Sequence, residues 1–312
     1  GDGGCHAVVR GELLVVGPVV HCGLPSDSFM AYDVATDSWR DSYAHARRSR
    51  RCARPCPPLP EGRRFAACGS VGGRLLVCGG ETEQALLLED DEDEELLGCT
   101  MEITARCDAF DVDAREWTSA APMPLGVAHG AYAVLGDKLY VAGGIFTQGL
   151  EDGLEDESDA LQVYDPAADA WTTETIDLPV DDNFGLFPGS CVGAARDGQL
   201  LVVCGGSREH HLVEVDGDPD GDARFELVEA DPRTYAYDVE SRAWSTLAPL
   251  PELREGFSVA VHGGEVYVVG GVSTSERAPP LVLRDDAWEE LEGAPDDLSC
   301  LERPAVASVV LG

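Results

Sequence analysis

Ala131-Tyr132-Ala133-Val134-Leu135-Gly136-Asp137-Lys138-Leu139-Tyr140-Val141-Ala142-Gly143-Gly144 contains two short apolar runs joined by Gly136-Asp137 and closed by a diglycine. After an acidic stretch come Leu161-Gln162-Val163-Tyr164, a turn signal at Asp165-Pro166-Ala167-Ala168-Asp169, and a further run from Trp171. Apolar runs of this length, punctuated by Gly, Asp and Pro, predict four strands of one antiparallel sheet.

The rest of the chain repeats this unit. Diglycines follow apolar runs at Gly79-Gly80, Gly143-Gly144, Gly205-Gly206 and Gly270-Gly271, and Gly17-Pro18 holds the same place in a degenerate first copy. An aromatic followed by Asp lies seven residues before a Trp in four copies: Tyr32 with Trp39, Phe110 with Trp117, Tyr164 with Trp171, and Tyr237 with Trp244. By that spacing the fifth copy keeps Trp288 but has Leu281 and Val282 in place of the aromatic and the Asp. Glycine permits positive φ and close backbone approach, and Trp and Tyr supply buried area between sheets, so these motif residues read as structural.

A period of roughly 40–50 residues with four strands per unit marks a propeller blade. The combination of apolar strand, Gly-Gly, aromatic–Asp and Trp resembles the kelch repeat over nearly the whole chain. The resemblance implies an all-β kelch-type propeller forming one domain, 1–312. Its blades are expected near 5–45, 63–121, 128–176, 190–248 and 256–292. Ala305-Val306-Ala307-Ser308-Val309-Val310 reads as another innermost strand, so 303–312 would begin an incomplete sixth blade; a five-bladed ring is the alternative.

Composition narrows the function. Against 58 acidic residues stand 22 basic ones, a formal net charge of −36 that repels nucleic-acid phosphate and anionic lipid. Lys138 is the single lysine. Eleven cysteines lack a Cys-x-x-Cys pair, and Cys78 and Cys204 lie inside apolar runs as expected core residues. This usage suggests a reducing, cytoplasmic or nuclear location. No run is long enough to span a bilayer as a helix, and neither a signal peptide nor a glycosylation sequon is evident.

Strand direction alternates within a blade, so the second-to-third connections and the blade-to-blade links share one face. The long loops are therefore expected on one rim, the usual place for function on a rigid scaffold. There Arg47, Arg48, Arg50, Arg51 and Arg54 put five arginines into eight residues of an acidic chain. They would grip an acidic or phosphorylated partner through bidentate bonds, with Arg63, Arg64 and Arg254 nearby at the starts of first strands. The bland reading is a basic loop paired with the protein's own acidic runs, such as Glu89-Asp90-Asp91-Glu92-Asp93-Glu94-Glu95. That acidic run is expected to be disordered.

Asp216, Asp218, Asp220 and Asp222 alternate through a segment with Gly221, like the first half of a calcium loop, but the twelfth position is Leu227 rather than Glu. A solvated tip of an extra hairpin explains them equally. Cys52, Cys56 and His45 lack a second ligand pair, Glu209-His210-His211 is isolated, and Cys99 and Cys107 would pair only under oxidation. Walker and Gly-x-Ser-x-Gly signatures are missing. Some kelch propellers are oxidases or iron-dependent specifier proteins, but the specifier Glu-x-x-x-Asp-x-x-x-His motif is absent, and Tyr132, Tyr140, His129 and His262 look ordinary. The expectation is a non-catalytic protein-interaction module. The resemblance adds ubiquitin-ligase substrate reception, through an F-box or BTB domain not present in this chain, as an implied role. An enzyme with a metal or small-molecule site in the central channel is the alternative.

Overall fold

The computed structural model describes residues 5–16, 26–33, 35–41, 57–88, 96–146, 156–177, 191–214, 223–230, 232–273 and 278–291. They form five four-stranded antiparallel sheets, each with its strands in chain order. Blade 1 comprises Cys5–Val9, Glu12–Val16, Phe29–Asp33 and Ser38–Asp41. Blade 2 comprises Ala67–Val71, Arg74–Cys78, Cys107–Asp111 and Glu116–Ala120. Blade 3 has Ala131–Leu135, Lys138–Ala142, Ala160–Asp165 and Ala170–Thr175. Blade 4 has Cys191–Arg196, Gln199–Cys204, Arg233–Asp238 and Ala243–Leu247, and blade 5 has Ser258–His262, Glu265–Val269, Leu281–Arg284 and Ala287–Glu290. The expected start of a sixth blade, 303–312, lies outside the described residues.

Second strands are apolar nearly throughout because each serves two cores. Side chains alternate across a strand, and both faces of a blade meet neighbours. Leu75 and Val77 pack with blade 1 residues such as Leu14 and Phe29, whereas Leu76 and Cys78 pack with Leu139 and Val141 of blade 3. Tyr140 and Ala142 then join Leu200 and Val202, and Leu201 and Val203 join Val266 and Val268. Core and ring connectivity are therefore one feature.

The repeated residues hold these seams. The first diglycine residue leaves room for the next blade: a Cβ on Gly79 would lie 2.3 Å from the Val127 carbonyl oxygen, and one on Gly205 would lie 1.7 Å from that of Arg254. Tyr164 and Trp171, seven apart, stand directly opposite across their turn, as do Phe110 and Trp117. The Trp171 and Trp288 indoles donate to Ala121 O at 2.9 Å and Ala248 O at 2.8 Å, stapling each blade to the link that leads into it. Asp33, Asp111, Asp165 and Asp238 accept from turn amides, which explains the Asp after the aromatic.

Blade 5 departs from the expected alignment. Leu283, not Leu281, opposes Trp288, because the turn there shortens to Asp285-Asp286, both at positive φ. A two-residue turn of that kind matches strand twist. Two long ribbons extend from the blades between second and third strands: Glu81–Leu88 with Leu96–Ile103 in blade 2, and Ser207–Glu214 with Ala223–Ala230 in blade 4. The second answers the extra hairpin expected from sequence, while the strands flanking the acidic run of blade 2 were not foreseen.

Candidate partner-binding face

The two faces of the propeller differ in how strands are joined. On one, every first strand turns into its second through two residues at positive φ, such as Arg10-Gly11, Gly72-Gly73 and Gly263-Gly264. The opposite face carries the diglycines, the ribbons and the entries to the first strands. Arg63, Arg64 and Arg254 lie at those entries.

Arg63 turns inward. Its side chain is 1% exposed, and its Nη2 pairs with Asp108, itself 1% exposed. Nη1 donates to Arg106 O at 2.8 Å and Val77 O at 3.4 Å. Arg106 adds a fork to the same carboxylate, with Nε and Nη2 each 2.9 Å from one Asp108 oxygen. Burial pulls the Arg63 guanidinium down to about 10, which leaves it charged at neutral pH. Arg254 is also buried, at 0% exposure, with Nη2 donating to Glu252 at 3.2 Å. Its Nε and Nη1 have no hydrogen-bond partner. Both arginines were expected to reach a partner from the rim, and both instead lie inside the blade, where their long stems extend into the core.

Of the three, Arg64 alone keeps partial exposure, 23% for its side chain. Its Nε donates to Glu81 at 2.5 Å, and the other Glu81 oxygen lies 2.9 Å from His129 Nε2. His129 stacks on Phe65 with ring centroids 3.8 Å apart, and the Arg64 guanidinium stands 5.2 Å from the Phe65 centroid. Burial pushes the Glu81 carboxyl up, but the bonds from His129 and Arg64 together outweigh it and hold the group below its ordinary value. Phe65 and His129 occupy equivalent entry positions at φ 55° and 59°, where blade 5 uses Gly256. Two bulky residues in the left-handed region thus mark the seam between blades 2 and 3. His129 looked ordinary in the sequence; its place two residues before a first strand was the available signal.

The inner strands of blades 1 to 3 bring Cys5, Cys68 and Tyr132 together, with Cys68 Sγ 3.5 Å from His6 O. Burial raises the Cys68 thiol and the Tyr132 phenol and lowers His6 to about 4. Among the described residues, no group of three or more His, Cys, Asp or Glu is placed to hold a metal ion. Cys78 and Cys204 are core residues, yet not as thiols: Cys78 forms a disulfide with Cys107, and Cys204 forms one with Cys191. Each pair stands directly opposite across adjacent strands. The argument from cysteine usage to a reducing compartment loses its ground here. Arg47, Arg48, Arg50, Arg51 and Arg54, like Asp216, Asp218, Asp220 and Asp222, lie outside the described residues.

No family model matches the chain. It is 27% identical to human Kelch-like protein 34 over 75% of this chain and 31% of that protein. It is 27% identical to Kelch-like protein terF of Aspergillus terreus over 50% of this chain and 30% of that protein. With human Kelch repeat and BTB domain-containing protein 12 it shares 31% identity over 48% of this chain and 22% of that protein. The chain thus spans less than a third of the length of these curated relatives. Among solved structures, that of YjhT superposes with a TM-score of 0.56 at 15% identity, covering 86% of this chain and 72% of that one, which bears on the fold alone. Among the described residues no helix is long and apolar enough to cross a membrane. With its recurring diglycine and aromatic–Trp motifs and its five four-stranded blades, the chain has the architecture of a kelch-type β-propeller and is similar to Kelch-like proteins.

Proposed function

We propose that the chain is a non-catalytic protein-recognition module whose ribbon-bearing face binds a peptide or loop of a partner. One observation carries this reading: two-residue turns join first and second strands at one face, while both long ribbons and the entry residue Arg64 belong to the other. Kelch-like relatives point the same way, and a relative named for its BTB domain suggests attachment to a ubiquitin-ligase scaffold through a segment beyond this chain. Arg47, Arg48, Arg50, Arg51 and Arg54, with Arg64, are the proposed contacts for an acidic peptide, because guanidinium forks match carboxylates.

The test is fluorescence polarisation with a labelled Asp/Glu-rich peptide. Arg47→Glu with Arg51→Glu should weaken binding at least about tenfold, since each reversal replaces attraction by repulsion. Unchanged affinity removes the arginine segment from the reading. Calcium at Asp216, Asp218, Asp220 and Asp222 is a separate proposal: added calcium should raise the melting temperature of the parent and not that of Asp218→Ala. A cytoplasmic location, proposed with this reading, predicts Cys78, Cys107, Cys191 and Cys204 as thiols in the cell; non-reducing peptide mapping that recovers Cys78–Cys107 and Cys191–Cys204 as disulfides would count against it.

A further inference from the structure

We propose that Cys5 and Cys68 are a site of covalent cross-linking: in the oxidised chain they form a disulfide that crosses the seam between blades 1 and 2. Among the described residues these two cysteines are the ones left as thiols, and each is 3% exposed. Cys5 opens the first strand of blade 1, and Cys68 is the second residue of the first strand of blade 2. Alternation along the strands turns Cys5, Ala7 and Val9 toward blade 2 and Cys68 back toward blade 1, so both thiols enter the core these blades share. There the Cys68 thiol donates to His6 O at 3.5 Å, one residue from Cys5. It also lies within hydrogen-bonding reach of the Cys5 thiol and of the Tyr132 hydroxyl from blade 3.

The ladders explain why each thiol finds its partner in another blade. Cys191 stands opposite Cys204, the last residue before a diglycine, and bonds to it within blade 4. Cys5 holds the same ladder place in blade 1, but the residue opposite is Val16, the last before Gly17-Pro18. Cys68 in turn stands opposite Val77. Neither cysteine is faced by a thiol across its own ladder, and each meets the other across the seam. A single buried thiol is an ordinary small core residue. Two in mutual contact hold the two sulfurs that a disulfide joins.

Oxidised glutathione serves as the electron acceptor. One cysteine thiolate attacks the glutathione disulfide, forms a mixed disulfide and releases one glutathione thiolate. The other cysteine thiolate then attacks the protein sulfur of that mixed disulfide and expels the second glutathione. The glutathione S–S bond is broken and the Cys5–Cys68 bond made, while two electrons and two protons pass from the cysteines to two glutathione thiols. Burial raises the Cys68 thiol and keeps it from attacking inside the closed core, so the bond is made during folding, while the seam is open. The loop it closes is about 60 residues long, against sequence separations of 29 and 13 for the disulfides inside blades 2 and 4, so it restricts the unfolded chain more than either.

The test takes the full chain, produced in an oxidising compartment or refolded from the reduced state in a glutathione redox buffer. Remaining thiols are alkylated and the peptides are mapped without reduction. Cys5 and Cys68 should be recovered joined to each other. The oxidised parent should also melt about 5 °C above the Cys5→Ala/Cys68→Ala variant prepared in the same way, the shift expected from closing a loop of that length. That gap should shrink when both proteins are prepared under reductant, which a packing role for the two sulfurs would not produce. Recovery of Cys5 and Cys68 as separately alkylated peptides overturns the proposal, as does recovery of either one joined to a different cysteine. A melting gap that is the same with and without reductant overturns it equally.

Discussion

Blades 2 and 5 each begin with a buried arginine at the same distance from the diglycine, and only the first has a carboxylate as deeply buried as itself: Asp108 is 1% exposed, whereas Glu252 beside Arg254 is 22% exposed. Two residues before each diglycine, or before Gly17-Pro18, stands a valine: Val15, Val77, Val141, Val203 and Val268. The third-strand residues paired with them are Met30, Asp108, Gln162, Thr234 and Leu281. In blade 2 this position supplies Asp108 to Arg63, which keeps only Nε bare, whereas in blade 5 it is Leu281 and Arg254 keeps both Nε and Nη1 bare. Blade 3 has Val127 at the entry and solves the problem with neutral groups, Gln162 exchanging two 3.0 Å hydrogen bonds with the Leu125 backbone. A buried charge therefore has no fixed value in this fold; the residue across the ladder sets it.

The largest test of that contrast is Asp108→Ala. It leaves Arg63 buried without its partner and should cost about 3–5 kcal/mol in denaturant unfolding, against a break in the comparison if the loss is below about 1 kcal/mol. Next comes a matched pair. Arg63→Met should cost about 2 kcal/mol, less than the carboxylate deletion because Asp108 keeps the fork from Arg106, whereas Arg254→Met should be neutral or stabilising. Equal losses in the two variants would mean that the partner across the ladder is irrelevant.

Leu281→Asp sharpens the comparison by transplanting the blade 2 solution. Its effect should be about 1 kcal/mol more favourable with Arg254 present than in Arg254→Met, a coupling that a double-mutant cycle reads directly. Zero coupling would show that the added carboxylate does not reach the guanidinium.

The smallest effect is in acid. Glu81 in blade 2 is held below its ordinary value in the folded state, so its contribution is whole above about pH 4.3 and is lost as pH falls through the lower folded value. The gap in melting temperature between the parent and Glu81→Gln should close over that interval. Glu265 in blade 5, held at about 2 first by its bond from Arg284 and then by Tyr267, follows the same sign. A gap for Glu81→Gln that widens in acid would contradict the Arg64–Glu81–His129 arrangement.

Much of the fold was legible because its determinants are local. The diglycines, the aromatic–Trp spacing and the turn aspartates each act within one hairpin or one seam, and they recur. What escaped needed register. Cys78 and Cys107 are far apart in sequence, and nothing in either segment says that they meet; only the ladder between second and third strands does. Arg63 and Arg254 look like rim residues until the depth of their stems is known, and aligning blade 5 by its Trp alone fails because a shorter turn moves the partner to Leu283. The blade 2 ribbon was obscured by its acidic middle, although the leucine runs on either side carried the strand signal. Of the candidate contacts, Arg64 keeps a place at the surface, and Glu81 and His129 join it without having been anticipated.

The double service of the second strands has a consequence for how this architecture can vary. Leu75 and Leu76 are adjacent in the chain yet belong to different cores, so inserting one residue there would exchange the contents of two seams at once. Length can change freely in the connections between second and third strands, where blade 2 and blade 4 have grown their ribbons, but not by a single residue inside the ladder. Innovation in such a chain is confined to one face by arithmetic as much as by selection, and new recognition has to be added as an outgrowth rather than carved from the blades.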